Sequence, residues 1–298
     1  MLEALRFMLS TAAKVRVASM LYRFVRLVRA PTGAPDRVRV QRRGIHWDLD
    51  LREGIDLTIY LRGAFELDTL RALESRVRRG DTVLDIGANV GAHTLHLARL
   101  VGAEGRVIAF EPTDFAVAKL RANLEANPEL EPRVSLHQAF LVANGSAAPV
   151  APVAASWPVD GTRPDDAVTA SRSMSALGAR AMSLDSLIAA SGDPVVHLIK
   201  MDVDGHELEV LSGALDLLQK HAPVLVMELA PFVFHPESKF DAMVELLTGL
   251  GYRFRPLGSA RQLPTEPREL KRRIPSGGSV NVVAARTEPL TGNGGPRS

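Results

Sequence analysis

Apolar and polar positions along this chain follow two different periods, and their order predicts strands separated by helices. Short apolar runs typical of buried strands lie at 83–86, 106–110, 134–137, 195–201 and 223–227. Between them apolar residues recur at helical spacing, as they do over 115–126. Two further strands, at 252–256 and 280–285, suit an antiparallel finish. This alternation predicts an α/β fold with a mostly parallel sheet covered by helices on both faces.

The first part of the chain has a different pattern. Residues 2–29 contain neither Gly nor Pro and predict one helix, whose arginines recur too often for a membrane span. Alternating residues at 37–41 and 45–51 predict a β-hairpin. A short strand at 57–61 and a helix at 67–77 are predicted before the first strand of the main sheet.

These patterns divide the chain into a basic amphipathic helix (1–30), a β extension (31–65), an α/β domain (66–286) and a disordered tail (287–298). Within the domain, residues 144–180 are rich in Ala, Pro, Ser, Asp and Gly and predict an irregular insertion. So long an irregular segment is usually either functional or disordered. A substrate-site wall or lid and a plain surface insertion are both open at this point.

The N-terminal helix carries apolar residues on one face and arginines opposite. The apolar face between 16 and 28 consists of Val17, Leu21, Phe24, Val25 and Val28. A basic amphipathic helix can lie on an anionic membrane surface. The alternative, which we favour, is that this face packs on the domain or on a second subunit. The expected location is the cytoplasm, with peripheral membrane contact through residues 2–29 as the competing interpretation.

Composition narrows the possible chemistry. The 298 residues are 46% hydrophobic and include no cysteine, which excludes a disulfide framework, thiolate chemistry and a Cys–zinc site. The net charge is +2, but it is unevenly distributed. Lys and Arg are in excess in residues 1–43, and the rest of the chain is net acidic. Because the basic character belongs to the N-terminus and not to the main domain, no nucleic-acid partner is expected.

The most informative stretch runs from 82 to 112 and reads as one strand–turn–helix–strand unit. Its turn contains Gly87 and Gly91, which let backbone come close to a ligand. Glu111 follows the second strand, where a carboxylate can accept both ribose hydroxyls of an adenosine. Asn89 stands where the dinucleotide fingerprint has its middle glycine, so a ligand without a pyrophosphate is favoured. S-adenosylmethionine fits these requirements, while the competing interpretation is that the glycines serve only tight packing.

Other polar residues follow the predicted strands at the same edge of the sheet. Ligands of open α/β sheets bind outside the carboxyl ends of the strands. The residues expected at those ends are Asp85, Gly87, Glu111, Gln138, Asp202 and Glu228. Their convergence is a stronger argument for a binding site than any single motif.

A second acidic cluster covers 202–207. Asp204 and Glu207 have the spacing of a helix capping box. Asp202 caps no obvious helix, so it is a candidate general base that takes a proton from an attacking hydroxyl. His206, near a helix N-terminus, is the other candidate base, and His93 is a weaker candidate for the substrate side. Carboxylates can bind a divalent cation, but one acidic cluster is thin evidence, and no metal is predicted.

Three motifs in order and spacing resemble the FkbM family of S-adenosylmethionine-dependent methyltransferases. They read LDIGANVGAHTLHLA…GRVIAFEP, IKMDVDGHELEVLSGA and PVLVMELAP, with a later Gly251-Tyr252. The resemblance covers roughly 60–285. It implies a Rossmann-like class I methyltransferase fold of seven strands with the last strand antiparallel. It also implies O-methylation of a hydroxyl on a glycan, lipid or secondary metabolite.

Carried over residue by residue, the resemblance gives roles at the strand ends. It implies that Asp85, Gly87, Asn89 and Gly91 hold the methionine moiety of S-adenosylmethionine. It implies that Glu111 binds the ribose and that Gln138 neighbours the adenine. The catalytic base is not settled by the resemblance, so Asp202 and His206 both stay candidates.

Two other functions compete with methyl transfer. A nicotinamide-dependent oxidoreductase shares the sheet and the ribose carboxylate, but Asn89 and the lack of a Tyr-x-x-x-Lys pair count against it. A binding module that keeps the fold without catalysis, on a membrane or in a complex, is the second. The sequence fixes neither the acceptor nor the oligomeric state.

Overall fold

The computed structural model describes residues 11–147, 153–165 and 170–286. Its strands in chain order are β1 (Arg37–Arg42), β2 (Ile45–Asp50), β3 (Thr82–Ile86), β4 (Arg106–Phe110), β5 (Val134–His137), β6 (Ala139–Leu141), β7 (Val153–Ser156), β8 (Arg172–Met174), β9 (Arg180–Met182), β10 (Leu198–Met201), β11 (Val224–Leu229), β12 (Tyr252–Pro256) and β13 (Val280–Arg286).

The α-helices of the described residues surround these strands. They are α1 (Thr11–Arg29), α2 (Gly54–Arg62), α3 (Leu67–Glu74), α4 (Thr94–Val101), α5 (Asp114–Glu125), α6 (Leu184–Ala190), α7 (Glu207–Ser212), α8 (Leu215–His221), α9 (Ser238–Gly249) and α10 (Pro267–Arg273). Short 3₁₀ turns occupy Ala30–Thr32, Glu131–Arg133 and Pro231–Val233.

The central sheet has seven strands in the order β12-β13-β11-β10-β3-β4-β5. Strand β13 runs antiparallel to both of its neighbours, and the other adjacent pairs are parallel. This is the class I methyltransferase architecture, so the predicted fold and its antiparallel last strand are confirmed. Strands β4 and β5 lie on one side of β3, and the strands from β10 onward lie on its other side. The crevice outside the carboxyl ends of β3 and β10 is where such sheets bind ligands.

Helices cover both faces of the sheet, because successive side chains of a strand point to opposite sides. Leu84 and Ile108 face the core under helices α6 to α10, whereas Val83 and Val107 face the core under α4, α5 and the β1–β2 hairpin. Trp47 of the hairpin is buried in this second core. Both cores end at the same sheet edge and hold it rigid.

The predicted β-hairpin at 37–51 is confirmed, and side chains of α5 tie it to the sheet. Asn123 accepts the Asp48 N–H at 2.9 Å, and Asn127 accepts the His46 N–H at 2.9 Å. Both asparagines are fully buried, so their amides replace water for these backbone groups.

Residues 57–61 are helical, so the predicted short strand there is wrong. They form part of α2, which ends at Gly63 in the left-handed conformation with its N–H donated to the Ile59 carbonyl at 2.8 Å. A glycine just past the last turn is a helix stop signal. Leu57 and Ile59 are buried in two different hydrophobic clusters, because residues two positions apart on a helix face different directions.

Two short helices, α7 and α8, follow the acidic cluster, with Gly213 and Ala214 between them. Only glycine fits at 213, because a Cβ there would lie 2.1 Å from the Val142 carbonyl oxygen. Asp185, at the start of α6, accepts the N–H groups of Asp216 and Leu217 at 3.2 and 3.0 Å. It therefore caps α8 from a different helix.

The insertion at 144–180 is not irregular throughout. Its described part contains β7 and β8, which pair antiparallel, and residues 148–152 and 166–169 lie outside the described residues. Ser156 donates to Glu53 at 2.9 Å, and the Trp157 carbonyl accepts the Gly54 N–H at 2.8 Å. The insertion is thereby fastened to the start of α2.

The N-terminal helix is confirmed from Thr11 to Arg29, and its predicted beginning at residue 2 lies outside the described residues. The tail at 287–298 also lies outside them. Of the predicted apolar face, Val25 is buried against the domain, but Val17, Leu21, Phe24 and Val28 are exposed. This chain's own domain therefore covers only part of the face, and packing of the rest on a second subunit stays a prediction.

Candidate active site

A cavity of about 850 Å³ opens at the carboxyl edge of the sheet, between β4, β3, β10 and β11. The sequence-predicted residues that line it are Gly87, Asn89, Glu111, Asp202, His206 and Glu228, together with His93. Asp85, Gly91 and Gln138 are not among its lining residues. The expected convergence at this edge therefore holds for most of the predicted set.

Gly87 lies directly after β3 with a φ of 75°. A Cβ built on it would stand 1.8 Å from the backbone oxygen of Asp202, whereas real Cβ atoms stay beyond 3.0 Å. The ammonium of Lys200 donates to the Gly87 carbonyl at 3.1 Å. The turn is thus held between the ends of β3 and β10, and only glycine fits there.

Asn89 is the next residue of the same turn with a positive φ. Its φ is 47°, in the left-handed region that Asn tolerates better than most residues. Its side-chain oxygen accepts the Val90 N–H at 2.8 Å, and its own N–H donates to Glu111 Oε2 at 3.0 Å. Asn89 therefore shapes the loop and links it to the carboxylate at the end of β4.

Glu111 is almost fully buried and is held by three donors. Besides the Asn89 N–H on Oε2, its Oε1 accepts the Thr113 N–H at 2.9 Å and the Thr113 hydroxyl at 2.6 Å. Burial raises the pKa of Glu111, although these hydrogen bonds act in the opposite direction. The result is an immobile carboxylate at the cavity wall.

Beneath the cavity, a charged network joins β3 to β10. Lys200, which is 4% exposed, lies 3.5 Å from Asp85 and 4.0 Å from Asp202. Burial alone would lower the pKa of Lys200, but the charges of Asp85, Asp202 and Glu66 outweigh it and raise the pKa. Asp85 is fully buried and accepts the Thr94 hydroxyl at 2.6 Å, so it supports the floor from below.

Lys200 is the main functional candidate that sequence reasoning missed. It stands inside the apolar run of β10, where it reads as an interruption of a buried strand. A lysine at such a position is rarely buried unless it is paired. That rule, applied to the run IKMD, is the signal that points to it.

Carboxylates crowd the side of the cavity formed by β10 and β11. Asp202 projects into it with 36% of its side chain exposed, and burial raises its pKa against the opposing charge of Lys200. Asp204, with a φ of 47°, has its pKa raised to about 7 by burial and by the charge of Asp202. Glu228 has its pKa raised to about 8 by burial and by Asp202, although it accepts the Ser279 hydroxyl. This side of the cavity therefore favours a cationic ligand.

The reciprocal bonds of a capping box between Asp204 and Glu207 do not form. The Asp204 side chain caps no N–H group of α7, whose N-cap is His206. Glu207 is buried, accepts the N–H groups of Gly205 and Val203 at 3.1 and 3.4 Å, and has its pKa raised to about 8 by burial. Glu207 therefore anchors the loop, while Asp204 and the exposed His206 face the cavity.

Glu66 and His93 form a second pair that lines the cavity. His93 Nε2 lies 3.7 Å from Glu66 Oε2, and Glu66 adopts a left-handed φ of 42° at the start of α3. Burial would raise the pKa of Glu66, but the nearby His93, the charge of Lys200 and the hydrogen bond donated by the Thr69 hydroxyl outweigh it and lower the pKa. No local pattern points to Glu66, because its position depends on how α3 packs against the sheet.

Two predicted cofactor residues lie beside the cavity. Gly91 packs under helix side chains, since a Cβ there would lie 2.4 Å from Leu120 Cδ1. Gln138 donates to Asp114 at 2.6 Å at the surface. Their roles toward a cofactor stay predictions, and for Gly91 the geometry matches the packing interpretation.

The wall opposite the sheet comes from peripheral segments. Val153, Ala154 and Trp157 of the insertion line the cavity, and so do Val15 and Ala18 of α1. The insertion is therefore a wall of the site and not a detached surface loop.

The charged and polar groups that line the cavity match S-adenosylmethionine better than a dinucleotide. The carboxylates around Asp202 attract a sulfonium or an ammonium group, whereas they would repel a pyrophosphate. Glu111 lies in the cavity wall at the end of β4, where the sequence predicts a ribose carboxylate, and Gly87 lines the same cavity. Among the described residues, no group of three His, Cys, Asp or Glu side chains has the arrangement of a metal site.

Comparisons with known proteins identify the family of this chain. The sequence model described as the methyltransferase FkbM domain matches residues 85–254, more than half of the chain. A hexuronic acid methyltransferase of Haloferax volcanii is 30% identical over 167 residues, which are 56% of this chain and 62% of that relative. A probable cobalt-precorrin-6B C(15)-methyltransferase of Saccharolobus solfataricus is 37% identical over 60 residues, 20% of this chain and 30% of that protein. The chain thus spans less than two thirds of the length of these curated relatives.

Solved structures of methyltransferases are also similar to this chain, at low sequence identity. A methyltransferase FkbM of Methylobacillus flagellatus is 15% identical with a TM-score of 0.43, covering 72% of this chain and 50% of that one. An O-methyltransferase of Bacillus cereus is 16% identical with a TM-score of 0.42, covering 74% of this chain and 79% of that one.

Proposed function

This chain belongs to the methyltransferase FkbM domain family, and we propose that it transfers the methyl group of S-adenosylmethionine to a hydroxyl of a glycan. The observation that carries the proposal is the single cavity into which Gly87, Asn89, Glu111 and Asp202 converge. When bound, S-adenosylmethionine supplies a methyl group activated on a cationic sulfur. The protein must then hold this donor, position the acceptor, exclude water and take up one proton.

On the donor side, Glu111 receives the ribose. A carboxylate has about four acceptor positions, and the described residues already use three of those on Glu111. One ribose hydroxyl therefore meets Oε2 directly, and the second requires the Thr113 hydroxyl to turn away. Gly87 and Asn89 bring loop backbone against the methionine moiety, and Asp85 acts from below through Lys200.

On the acceptor side, Asp202 takes the hydroxyl proton. A sugar hydroxyl is a poor nucleophile while protonated, so a base within hydrogen-bonding reach lowers the barrier. Asp202 faces the cavity, and its raised pKa makes it a stronger base than a free carboxylate. Lys200, 4.0 Å away, holds it in place. His206 is the alternative base, on the rim at the start of α7.

The charge of the cavity favours a hydroxyl over a carboxylate as acceptor. The Haloferax relative is described as a hexuronic acid methyltransferase, and a hexuronic acid carries an anionic carboxylate. In this chain Glu66, Asp202, Asp204 and Glu228 line the cavity, and the basic lining residues are fewer. A neutral sugar avoids the resulting repulsion.

Calorimetric titration of the purified protein with S-adenosylmethionine, S-adenosylhomocysteine, NAD and NADP tests the donor. Binding of the first two alone supports the proposal, whereas binding of a nicotinamide nucleotide replaces it with the oxidoreductase. A protein that binds none of the four, with or without acceptor, is a binding module.

Transfer of a labelled methyl group to neutral hexosides and to hexuronosides, compared side by side, tests the acceptor. The expected result is labelling of the neutral sugars through an alkali-stable ether. Preferential formation of an alkali-labile ester on the hexuronosides would contradict the hydroxyl assignment while leaving methyl transfer itself intact.

A further inference from the structure

Helix α1 carries two apolar stripes, and only one of them packs on the protein. Tyr22 is 3% exposed and Val25 is 9% exposed, and both join the small core with Leu51 and Leu57. On the other side of the helix, large apolar side chains face outward. These are Val17, Met20, Leu21, Phe24, Leu27 and Val28, which are 44 to 72% exposed. These six residues form what we call the outer stripe.

Basic residues border the outer stripe. Arg16 and Arg23 project beside Met20 and Leu27 at helical spacing and are exposed. Neither makes an ion pair with a described residue, and the sequence of α1 contains no Asp or Glu. The outward side of the helix therefore combines a continuous apolar surface with uncompensated positive charge.

The same helix borders the cavity. Val15 and Ala18, on the inward side of α1, line the cavity together with Trp157 of the insertion. Whatever the outer stripe contacts therefore lies within about one helix diameter, some 10–12 Å, of the site's rim.

We propose that the outer stripe of α1 docks this protein on an anionic lipid bilayer, with the rim of the site held just above the headgroups. Apolar side chains of an interfacial helix enter the boundary of headgroups and acyl chains, and flanking arginines pair with anionic lipids. No helix in the described ranges has the length and apolar character that crossing a bilayer requires, so docking here is peripheral. The docking goes beyond the proposed function and does not depend on it.

A second copy of this chain is a poorer occupant of the stripe. A symmetric pair places the same patch of both copies face to face. Arg16 and Arg23 of one copy would then approach the equivalent arginines of the other, and like charges repel. An anionic surface has the complementary sign.

Docking has a consequence for the acceptor, and this part does rest on the proposed function. Because one helix diameter separates the bilayer from the rim, the reacting hydroxyl must stand about 10 Å above the interface. A lipid that carries one or a few sugars in its headgroup reaches that height, while a hydroxyl at the acyl boundary does not. A glycan on a lipid carrier therefore satisfies both the cavity and the stripe.

The test is co-sedimentation of the full chain with vesicles of phosphatidylcholine alone or with about one third phosphatidylglycerol, near a physiological ionic strength. The expected result is binding to the anionic vesicles only, with loss of binding as the salt concentration rises severalfold. The variant Phe24→Asp with Leu27→Asp should lose binding. Arg16→Gln with Arg23→Gln should weaken it about fivefold per arginine, since each near-surface arginine adds about 1 kcal/mol.

Leu177→Asp is the matched control, because Leu177 is 96% exposed on the insertion and far from the stripe in sequence. It should bind like the unchanged protein. Absence of vesicle binding by the unchanged protein, or equal binding by the stripe variants, would overturn the proposal. A dimer in sedimentation equilibrium that the Phe24→Asp, Leu27→Asp variant dissociates would overturn it in favour of a second copy. S-adenosylmethionine binding, measured in parallel, separates these outcomes from failure of the enzymatic assignment.

Discussion

The two sides of the cavity solve the burial of a carboxylate differently. On the β4 side, Glu111 is surrounded by three donors from Asn89 and Thr113. On the β10 and β11 side, Asp202 and Asp204 accept no hydrogen bond from the described residues, and their nearest described cation, Lys200, is 4.0 Å from Asp202. The β4 side, called the complete side, has its hydrogen bonds before any ligand binds. The β10 and β11 side, called the crowded side, does not.

The difference indicates what each side is built to bind. Preorganised donors around Glu111 fix the direction of its free acceptor position, which suits a neutral ribose hydroxyl. Crowded carboxylates with raised pKa values store electrostatic repulsion, which a bound cation or a proton relieves. Substitutions on each side of the cavity and measurements over a range of pH test this difference.

The largest effect is expected on the crowded side. Asp202→Asn should lower kcat by about 10²- to 10⁴-fold, because the acceptor hydroxyl loses its proton acceptor. The affinity for S-adenosylmethionine should hardly change. Single-turnover methyl transfer and calorimetry on the same preparation measure the two quantities.

His206→Gln is the matched control for that variant, since His206 lines the same rim. Little loss of turnover is expected from it. A large loss with His206→Gln and normal turnover with Asp202→Asn would exchange their roles.

The next effect concerns the turn that both sides share. Gly87→Ala places a Cβ 1.8 Å from the Asp202 carbonyl oxygen, so the loop or β10 must shift. A displacement of about 1 Å at a site costs on the order of a hundredfold, and S-adenosylmethionine affinity should fall by that factor. Gly249→Ala, where a Cβ meets nothing within 4 Å, should leave affinity and melting temperature unchanged.

A smaller effect is expected on the complete side. Glu111→Gln keeps the shape and removes the charge, so affinity for both S-adenosylmethionine and S-adenosylhomocysteine should drop about tenfold. Equilibrium titration measures the drop, with the exposed Glu125→Gln as control. An unchanged affinity in the Glu111 variant would remove this carboxylate from ribose binding.

The smallest effect is a pH dependence. Asp204 and Glu228, with pKa values raised to about 7 and about 8, hold protons in the folded protein that a free carboxyl would release. A sulfonium among them lowers these pKa values, so S-adenosylmethionine affinity should rise about threefold between pH ~6 and ~8. S-adenosylhomocysteine, which lacks that charge, should show a flatter profile.

The same protons affect the free protein in the opposite direction. Because the folded form binds more protons than the unfolded chain over this interval, the free energy of unfolding should fall as the pH rises. Thermal unfolding at a series of pH values, with and without S-adenosylmethionine, measures both trends. A stability that rises over the interval would show that the carboxylates are already ionised.

Local sequence determined more of the complete side than of the crowded side. Gly87, Asn89 and Glu111 belong to one strand–turn–helix–strand unit, and their geometry follows from residues close together in the chain. Glu66 acts through neighbours that only the folded sheet supplies, so no local pattern marks it, whereas the lysine inside the apolar run of β10 is a local sign of Lys200. Gly91 illustrates the reverse case, because a glycine in the right turn packs against Leu120 and not toward the cavity.

Two other predictions from the sequence differ from the structure for similar reasons. A strand was predicted for 57–61, but Leu57 and Ile59 pack into two different clusters, whereas a strand would point both to the same face. Helix α1 was expected to bury its apolar face, but two apolar stripes share one helix and the domain covers only one. Amphipathicity predicts that a face will be covered, and it does not say by what.

The bond between the Lys200 ammonium and the Gly87 carbonyl joins residues 113 positions apart. A nascent chain can form β3 and β4 early, but the floor of the cavity exists only after β10 has been synthesised and paired. Parallel pairing at such separation is slow, because the loop must close before the contacts stabilise it. The cofactor therefore cannot guide the early steps of folding, and a chain that stops before β10 would have no site to be rescued by its ligand.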